Sequence, residues 1–288
     1  MPSIVVGGKA YDGFHSVDDI IAINPKIISD RTRIVLSPHF DDAALSLGGL
    51  IAKSTHSASS PIIVTAFTGT PKTATTTVWD SKSGFKDSTE AMTRRANENS
   101  NAANTLNSQI VNLDYLDNQY RPSIATSTLE SNIAADIIKL IKNYDTSTSS
   151  MEIYGPAIFS AKVNHYDHAI LHDAYMDVIA EYKPRGIVIF FIYEDFPYAE
   201  EAGAPKVDIA KALRSNTPNF SYAPIYIPLS DYAVSVKKDA IQAYTSQIKA
   251  MAANGLDIVP YTTDWTKNRC KGLFRVPSAC EVVYQVQK

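Results

Sequence analysis

This sequence has very few cysteines and no marked excess of charge of either sign. Cys270 and Cys280 are the only cysteines among 288 residues, too few for a cysteine-rich zinc site or disulfide framework. They leave two states open: a disulfide closing the short loop between them, or two free thiols, which we expect in a reducing compartment. The formal net charge of −3 comes without a dense lysine or arginine stripe, so nucleic acid is not an expected partner.

Long apolar runs are also missing. No stretch reaches the roughly 18–20 apolar residues that a membrane helix needs. The first ten residues, Met-Pro-Ser-Ile-Val-Val-Gly-Gly-Lys-Ala, do not combine a basic start with a long apolar segment, as a signal peptide would. These absences predict no transmembrane segment and a cytoplasmic location.

The composition that remains is that of a globular domain, with 45% hydrophobic and 20% charged residues. A chain of 288 residues can bury a large core, and one α/β domain of this size is ordinary. We find no internal repeat and no second core pattern. The sequence therefore predicts a single domain over residues 1–288, with a core at about 28–200 and a C-terminal capping region at about 205–288.

A first cluster of reactive side chains lies in residues 33–49, Arg-Ile-Val-Leu-Ser-Pro-His-Phe-Asp-Asp-Ala-Ala-Leu-Ser-Leu-Gly-Gly. The apolar run at 34–36 predicts a buried parallel strand, and residues 43–53 predict a helix. His39, Asp41 and Asp42 lie in the turn between them, where open α/β sheets bind their ligands. An Asp before a helix is also a common cap, so this turn alone is equally consistent with a structural role.

A second cluster lies in residues 164–172, Asn-His-Tyr-Asp-His-Ala-Ile-Leu-His, again after an apolar run and a turn. His165, His168 and His172 have the spacing i, i+3, i+7, so one helix face could carry all three. Imidazole and carboxylate together are a usual ligand set of catalytic zinc. His172, one turn beyond His168, is expected to have a structural role or to support the metal ligands, and not to be a ligand itself.

A long polar segment over residues 68–87 is predicted to leave the second strand at the same sheet edge, and loops of this length are commonly functional. Trp79 and Phe85 are candidate stacking surfaces for a sugar, or else anchors of the loop to the core. Arg121 is a candidate to bind a substrate hydroxyl or phosphate, although a solvated arginine is the commoner outcome.

Together, the two clusters resemble the motifs of the LmbE/PIG-L superfamily of zinc-dependent N-deacetylases. Residues 39–43, His-Phe-Asp-Asp-Ala, stand where that family has His-Pro-Asp-Asp-Glu, and residues 165–168, His-Tyr-Asp-His, match its His-x-Asp-His. Residues 95–98, Arg-Ala-Asn-Glu, resemble its Arg-x-x-Glu helix. Two departures stand out: Phe40 replaces the usual proline and Ala43 replaces the usual glutamate.

The resemblance implies a Rossmann-like α/β fold: a mostly parallel sheet of at least five strands, flanked by helices and capped by a C-terminal extension. It implies hydrolysis of an N-acetyl or other N-acyl group on an amino sugar or its glycoconjugate. It also implies zinc, or another divalent metal, as cofactor. The ligands it implies are His39, Asp42 and His168.

The resemblance also implies how the remaining motif residues act. Asp41 would accept a proton from water and later pass one to the leaving amine. His165 would stabilise the tetrahedral oxyanion, and Asp167 would orient or tune it.

Two other functions stay open. The chain could be a metal-dependent amidohydrolase acting on a non-sugar amide natural product. It could also be a nucleotide-binding Rossmann module without metal chemistry. The second predicts a glycine-rich turn after the first strand, which residues 37–41, Ser-Pro-His-Phe-Asp, do not offer.

Overall fold

The computed structural model describes residues 3–6, 9–12, 31–53, 60–122, 126–157, 165–201, 210, 211, 213, 217, 219–271 and 279–287. Two short antiparallel strands, β1 (Ser3–Val6) and β2 (Lys9–Asp12), form a separate pair. The main sheet has seven strands: β3 (Thr32–Ser37), β4 (Ile62–Thr65), β5 (Gln109–Asn112), β6 (Ser150–Pro156), β7 (Ile187–Tyr193), β8 (Ser221–Leu229) and β9 (Ala279–Gln287).

The strand order in the main sheet is β5-β4-β3-β6-β7-β9-β8. The first five strands run parallel, while β9 is antiparallel to both β7 and β8. The expected mostly parallel sheet of at least five strands is thereby confirmed. The first strand of the main sheet, β3, lies in its middle. The chain then moves outward through β4 to β5 and returns to β6 on the other side of β3. Such a reversal opens a crevice at the carboxyl ends of β3 and β6, the usual ligand site of open α/β sheets.

Helices cover both faces of this sheet: α1 (Asp42–Lys53), α2 (Val78–Ser83), α3 (Ser88–Thr105), α4 (Thr126–Tyr144), α5 (Tyr166–Glu181), α6 (Tyr198–Glu201), α7 (Asp231–Gln242), α8 (Thr245–Ala253) and α9 (Ile258–Asn268). Alternate residues of β3 point to opposite faces. Ile34 and Leu36 pack in a core with α4 and α5, and Val35 packs in a second core with α1, α3 and α7. Among the helices of the described ranges, none is long and apolar enough to cross a bilayer.

The polar segment 68–87 contains a short helix, α2, where its sequence pattern predicts only a loop. Thr77 caps its start by accepting the N–H of Asp80, whose side chain in turn accepts the N–H of Thr77. Gly84 ends it with a φ of 88°, a conformation that favours glycine. These capping signals are readable in the sequence, but one and a half turns of mixed polarity show no helical period.

The C-terminal region extends the sheet as well as covering it. The alternating pattern of residues 280–286 predicts an edge strand; these residues form a strand, β9, but it is interior, so the edge position was wrong, and β8 forms the edge. Pro224 and Pro228 explain the order, because proline has no N–H to donate and sheets accept it mainly at edges. Residues 17–23, Val-Asp-Asp-Ile-Ile-Ala-Ile, predict a short helix, and this segment lies outside the described residues.

The two cysteines form a disulfide. Cys270, just after α9, is bonded to Cys280 in β9. The free thiols expected in a reducing compartment are therefore absent from this structure, and the disulfide ties the segment just after α9 to the start of β9.

A buried charge pair joins α1 to the C-terminal strands. The regular geometry of α1 breaks at Leu47, and the N–H groups of Gly49 and Leu50 are donated to the Glu281 carboxylate of β9 at 2.9 and 2.8 Å. The ammonium of Lys237 lies 2.7 Å from the same carboxylate, and both charged side chains are buried. The strand that carries Glu281 thus completes the helix that begins at Asp42.

Candidate active site

The two reactive clusters of the sequence meet at the carboxyl ends of β3 and β6. Ser37, the last residue of β3, ties the first turn together: its hydroxyl donates to the His39 carbonyl and accepts the N–H of Ala43. The turn holds His39 and Asp41, and Asp42 starts α1. His165 immediately precedes α5, whose first turn carries Asp167 and His168.

His39 and His168 both approach one oxygen of Asp42. Nδ1 of His39 lies 3.4 Å from Asp42 Oδ2, and Nε2 of His168 lies 3.5 Å from it. Two atoms bound at about 2.0–2.2 Å to one zinc ion, at tetrahedral angles, lie about 3.4 Å apart. The main-chain N–H of His39 donates to the same oxygen at 2.7 Å and fixes its position. Both histidine–carboxylate distances therefore suit ligands of a single ion.

The other ring nitrogen of each histidine is held by a carboxylate. Nδ1 of His168 lies 2.5 Å from Asp195 Oδ2, and Nε2 of His39 lies 3.2 Å from Asp167 Oδ2. Such outer carboxylates commonly orient histidine ligands of metals. Nε2 of His168 is buried and has no hydrogen-bond partner among the described residues. A buried, oriented and unpartnered imidazole nitrogen beside a carboxylate fits a metal ligand.

Among the described residues, three groups of side chains have ligand-type atoms that lie within 4.8 Å of the others in the group: His39–His165–His168, His39–Asp117–Asp167 and Asp42–His168–Asp195. None of these groups is the predicted triple as a whole, although His39 and His168 each lie near the same Asp42 oxygen. Asp167 and Asp195 already bond histidines, and Asp167 also accepts the N–H of Asn118. The geometry therefore favours Asp42 over these two carboxylates as the ligand.

The electrostatics of the site favour a cation. Burial alone would lower the pKa of His39, but the Asp117 carboxylate and the hydrogen bonds with Asp167 and Asp42 raise it well above its ordinary value. Burial is likewise outweighed at His168, whose pKa is raised by Asp195 and Asp42. The carboxylates therefore favour the protonated, positively charged form of both histidines. A divalent ion can displace these protons, because histidine ligands bind metals in their neutral form.

Asp41 and His165 line the same cavity and carry opposite pKa shifts. Burial, reinforced by the adjacent Asp42, raises the pKa of Asp41 to about 6. Burial, reinforced by His168 and His39, lowers the pKa of His165 to about 3. Asp41 can therefore take up and release a proton near neutral pH, while His165 stays neutral and keeps one N–H to donate.

Asp167 has a second partner besides His165, and Arg121 is already paired. Asp167 Oδ2 lies 3.2 Å from His39 Nε2, and its charge also raises the pKa of His165 against the larger effect of burial, so its predicted role in tuning His165 stays a prediction. The Arg121 guanidinium lies 2.8 Å from Asp167 Oδ1, and its side chain is only 8% exposed. Because this charge is already paired and Arg121 does not line the cavity, the structure does not place it as a substrate contact.

Of the two aromatic candidates in segment 68–87, only Trp79 is found at the cavity. Trp79 lines the cavity together with His39 and Asp41. Phe85 does not line it: the ring is 4% exposed and lies under the guanidinium of Arg94, at 5.0 Å. Phe85 is therefore a packing anchor, the alternative that the sequence had left open.

His172 also has a structural contact, since its Nδ1 lies 2.8 Å from the carbonyl oxygen of Pro156. Phe40, which replaces the family's proline, is buried with the Arg95 guanidinium 5.7 Å above its ring. The Tyr244 hydroxyl, between α7 and α8, donates to the Phe40 carbonyl at 2.8 Å and so supports the turn that carries His39 and Asp41. Ala43, which replaces the family's glutamate, is the second residue of α1 and is fully buried in the core that this helix shares with α3 and α7.

Asp117 and Asp195 were not among the predicted site residues. Asp117 Oδ2 lies 3.7 Å from His39 Nε2 and 3.6 Å from a terminal nitrogen of Arg95. Each aspartate follows a strand. Residues 113–117, Leu-Asp-Tyr-Leu-Asp, resemble a strand end of the family, and the sequence left Asp195 open as an acid that reaches the site or one that only forms a turn. No spacing along the chain relates either one to the histidines, so their pairing is a tertiary effect.

Replacing Asp195 should weaken metal binding without abolishing it. We expect Asp195→Ala to lower metal affinity about 10–100-fold, because His168 loses the carboxylate that orients it. Asp195→Asn, which can still accept a hydrogen bond, should lie between that variant and the wild type. Competition with a chromophoric chelator measures the affinity, and equal affinities in all three proteins would contradict this support role.

The cavity lined by His39, Asp41, Asp42 and His165 has a volume of about 650 Å³. It lies within the size range of small-molecule sites. Besides the two clusters, α2, α8 and the turn that follows α8 contribute to its wall.

Solved structures share this fold. The zinc inhibited form of teicoplanin deacetylase Orf2 is 20% identical over 89% of this chain and 98% of its own, with a TM-score of 0.70. The A40926 pseudoaglycone deacetylase Dbv21 is 22% identical over 90% and 98%, with a TM-score of 0.69. N,N'-diacetylchitobiose deacetylase from Pyrococcus horikoshii is 13% identical over 96% and 95%, with a TM-score of 0.60.

At these identities the structures show a common fold. No curated protein matches the chain. The family evidence comes from residues 34–195, which match the model of the PIG-L family, described as GlcNAc-PI de-N-acetylase. This match spans both histidine clusters and more than half of the chain, which therefore belongs to the PIG-L family.

Proposed function

We propose that this protein is a zinc-dependent N-deacetylase that removes an N-acetyl group from an amino sugar or its glycoconjugate. The observation that carries the proposal is the pair of histidines, each held from outside by a carboxylate, that approach one oxygen of Asp42 beside Asp41. Membership of a family described as a de-N-acetylase supports the same reaction. The named activities of the structural neighbours support a sugar or glycoconjugate substrate.

In this proposal His39, Asp42 and His168 hold the metal. When bound, a divalent ion there supplies Lewis acidity, which polarises the acyl oxygen and lets water give up a proton near neutral pH. Asp167 and Asp195 keep the two imidazoles oriented from behind.

Asp41 and His165 carry the proton and charge steps. Asp41 takes a proton as the water oxygen bonds to the acyl carbon, and His165 donates its N–H to the oxygen that becomes negative. The carbon–nitrogen bond then breaks, and Asp41 returns the proton to the leaving amine. The products are a carboxylate, acetate in the simplest case, and the free amino sugar.

Amine release from a panel of N-acetylated sugars and N-acetylated peptides tests the function. We expect sugars to be hydrolysed, a chelator to stop the reaction and zinc to restore it, with about one divalent ion per chain. Hydrolysis of the peptides alone would favour the amidohydrolase on a non-sugar amide. Full activity in metal-free protein would remove the proposal.

The cytoplasmic location stays a prediction, and the Cys270–Cys280 disulfide weighs against it. Disulfides form and persist mainly in oxidising compartments. Alkylation of free thiols in intact cells, followed by mass spectrometry, distinguishes the two cases, because a protein kept in the cytoplasm should carry the label on both cysteines.

A further inference from the structure

The cavity has walls of two chemical kinds. Its lining residues with a carboxylate, guanidinium or imidazole side chain belong to the metal end: His39, Asp41, Asp42, Arg95, Asp117 and His165. A second wall comes from α2, α8 and the turn after α8, and it consists of Trp79, Gln247, Met251, Asn254, Gly255 and Leu256. Among the described lining residues, this second wall has no formal charge.

Trp79 is held rigidly in this wall. Its Nε1–H donates to Gln247 Oε1 at 2.9 Å, and Gln247 is itself fixed because its Nε2 donates to the Ser246 hydroxyl at 3.0 Å. That hydroxyl donates to the Glu98 carboxylate at 2.6 Å. Since its single polar group is already hydrogen-bonded within the protein, the indole needs no polar partner from a ligand and presents an apolar surface to the cavity.

The helix that carries Trp79 is anchored on a second side. The Tyr120 hydroxyl donates to Asp80 at 2.5 Å, and the Thr77 hydroxyl donates to the Gln119 side chain at 2.6 Å. The ammonium of Lys82, in the same helix, donates a hydrogen bond to the Asn254 amide oxygen at 2.5 Å. The wall is thus built before any ligand arrives, which lowers the entropic cost of binding.

Phosphate fits this wall poorly. Proteins bind phosphate with arginine, lysine or the N-terminus of a helix. The turn at Asn254 instead follows the C-terminus of α8, where the helix dipole is negative and repels anions. Among the described lining residues, only Arg95 has a guanidinium, and it lies beside Asp117 at the metal end.

We propose that the wall of Trp79, Met251 and Leu256 is a subsite for an uncharged, apolar-faced group joined to the amino sugar, such as an aryl ring. This inference rests on the proposed function, and it names the class of glycoconjugate: an aryl-type glycoside rather than a free sugar or a sugar phosphate. A cavity of about 650 Å³ is larger than one amino sugar needs, which leaves room for such a group.

Kinetics on three N-acetylglucosamine derivatives test the subsite: the methyl glycoside, the phenyl glycoside and the 1-phosphate. We expect kcat/KM for the phenyl glycoside to exceed that for the methyl glycoside about 10-fold or more. This is a usual size for discrimination between two substrates that differ in one apolar contact. The 1-phosphate should gain nothing over the methyl glycoside. Trp79→Ala should bring the phenyl-to-methyl ratio down to near one, and Trp79→Phe should keep much of it.

Tyr232→Ala is the matched control, because Tyr232 is a 62% exposed aromatic residue of α7 outside the cavity lining. It should leave the ratio unchanged. A wild-type ratio near one, a ratio that survives Trp79→Ala, or a preference for the 1-phosphate would overturn the subsite and leave the deacetylase intact.

Binding measured by calorimetry separates the two proposals if none of the three compounds is hydrolysed. Tighter binding of the phenyl than of the methyl glycoside, lost in Trp79→Ala, would support the subsite while the proposed function fails. Equal binding of both glycosides would overturn the subsite.

Discussion

Asp42→Ala and His168→Ala should each lose the metal and, with it, essentially all hydrolysis. Asp42 supplies the oxygen that both histidines approach, so its removal leaves two imidazoles without a shared partner. His168→Ala removes the unpartnered Nε2 nitrogen and also leaves the buried Asp195 carboxylate without its histidine partner. We expect metal content to fall from about one ion per chain to near zero, a larger loss than the 10–100-fold expected for an outer support.

His172→Gln is the control for this experiment. His172 lies on the same helix, one turn after His168, and its Nδ1 is bonded to a carbonyl oxygen of the main chain. Metal analysis should find that variant loaded like the wild type. Unchanged metal content in both ligand variants would instead direct attention to the group formed by His39, Asp117 and Asp167.

Asp41→Asn should retain the metal and lose roughly 10²–10⁴ in kcat, the usual size of a general-base contribution. The amide keeps the shape of the carboxylate but cannot accept a proton. In the wild type, kcat/KM should fall on the acid side as Asp41 becomes protonated. Because a nearby divalent ion lowers the pKa of a carboxylate, this limb should lie below the value of about 6 that burial and Asp42 set. The variant should lack the limb.

Two outcomes would change the assignment of Asp41. Metal loss in Asp41→Asn with retention in Asp42→Asn would exchange the roles of the two acids. Full activity in Asp41→Asn would place the base elsewhere. Glu194 is a poor substitute, because its carboxylate is already held by Arg269 at 2.6 and 2.7 Å and by the Tyr284 hydroxyl at 2.8 Å.

The sequence is informative wherever structure depends on neighbours along the chain. The strand, turn and helix that present His39 and Asp42 depend on a short apolar run and a capping acid within residues 33–53. The motif at 165–168 is local for the same reason, because one helical turn brings its histidines together. These parts could therefore be predicted from the pattern and from the family resemblance.

Contacts between distant elements could not be predicted in this way. Asp195 reaches His168 because β7 lies beside β6, and Gln247 reaches Trp79 because α8 lies against α2. Strand order carries the same difficulty, since β9 pairs with β7 across more than eighty residues and β8 is displaced to the edge. Only the folded sheet decides these pairings.

The buried link between α1 and β9 couples metal binding to the cooperativity of the whole fold. Asp42 begins α1, and Glu281 with Lys237 completes the interrupted turn of that helix. Opening the C-terminal strands would leave buried N–H groups unpaired and free the helix that holds a ligand. With Asp42 as the proposed ligand, an ion that binds only the native state should stabilise, through α1, strands that contribute no ligand to it. We therefore expect the C-terminal strands to unfold together with α1 as one cooperative unit.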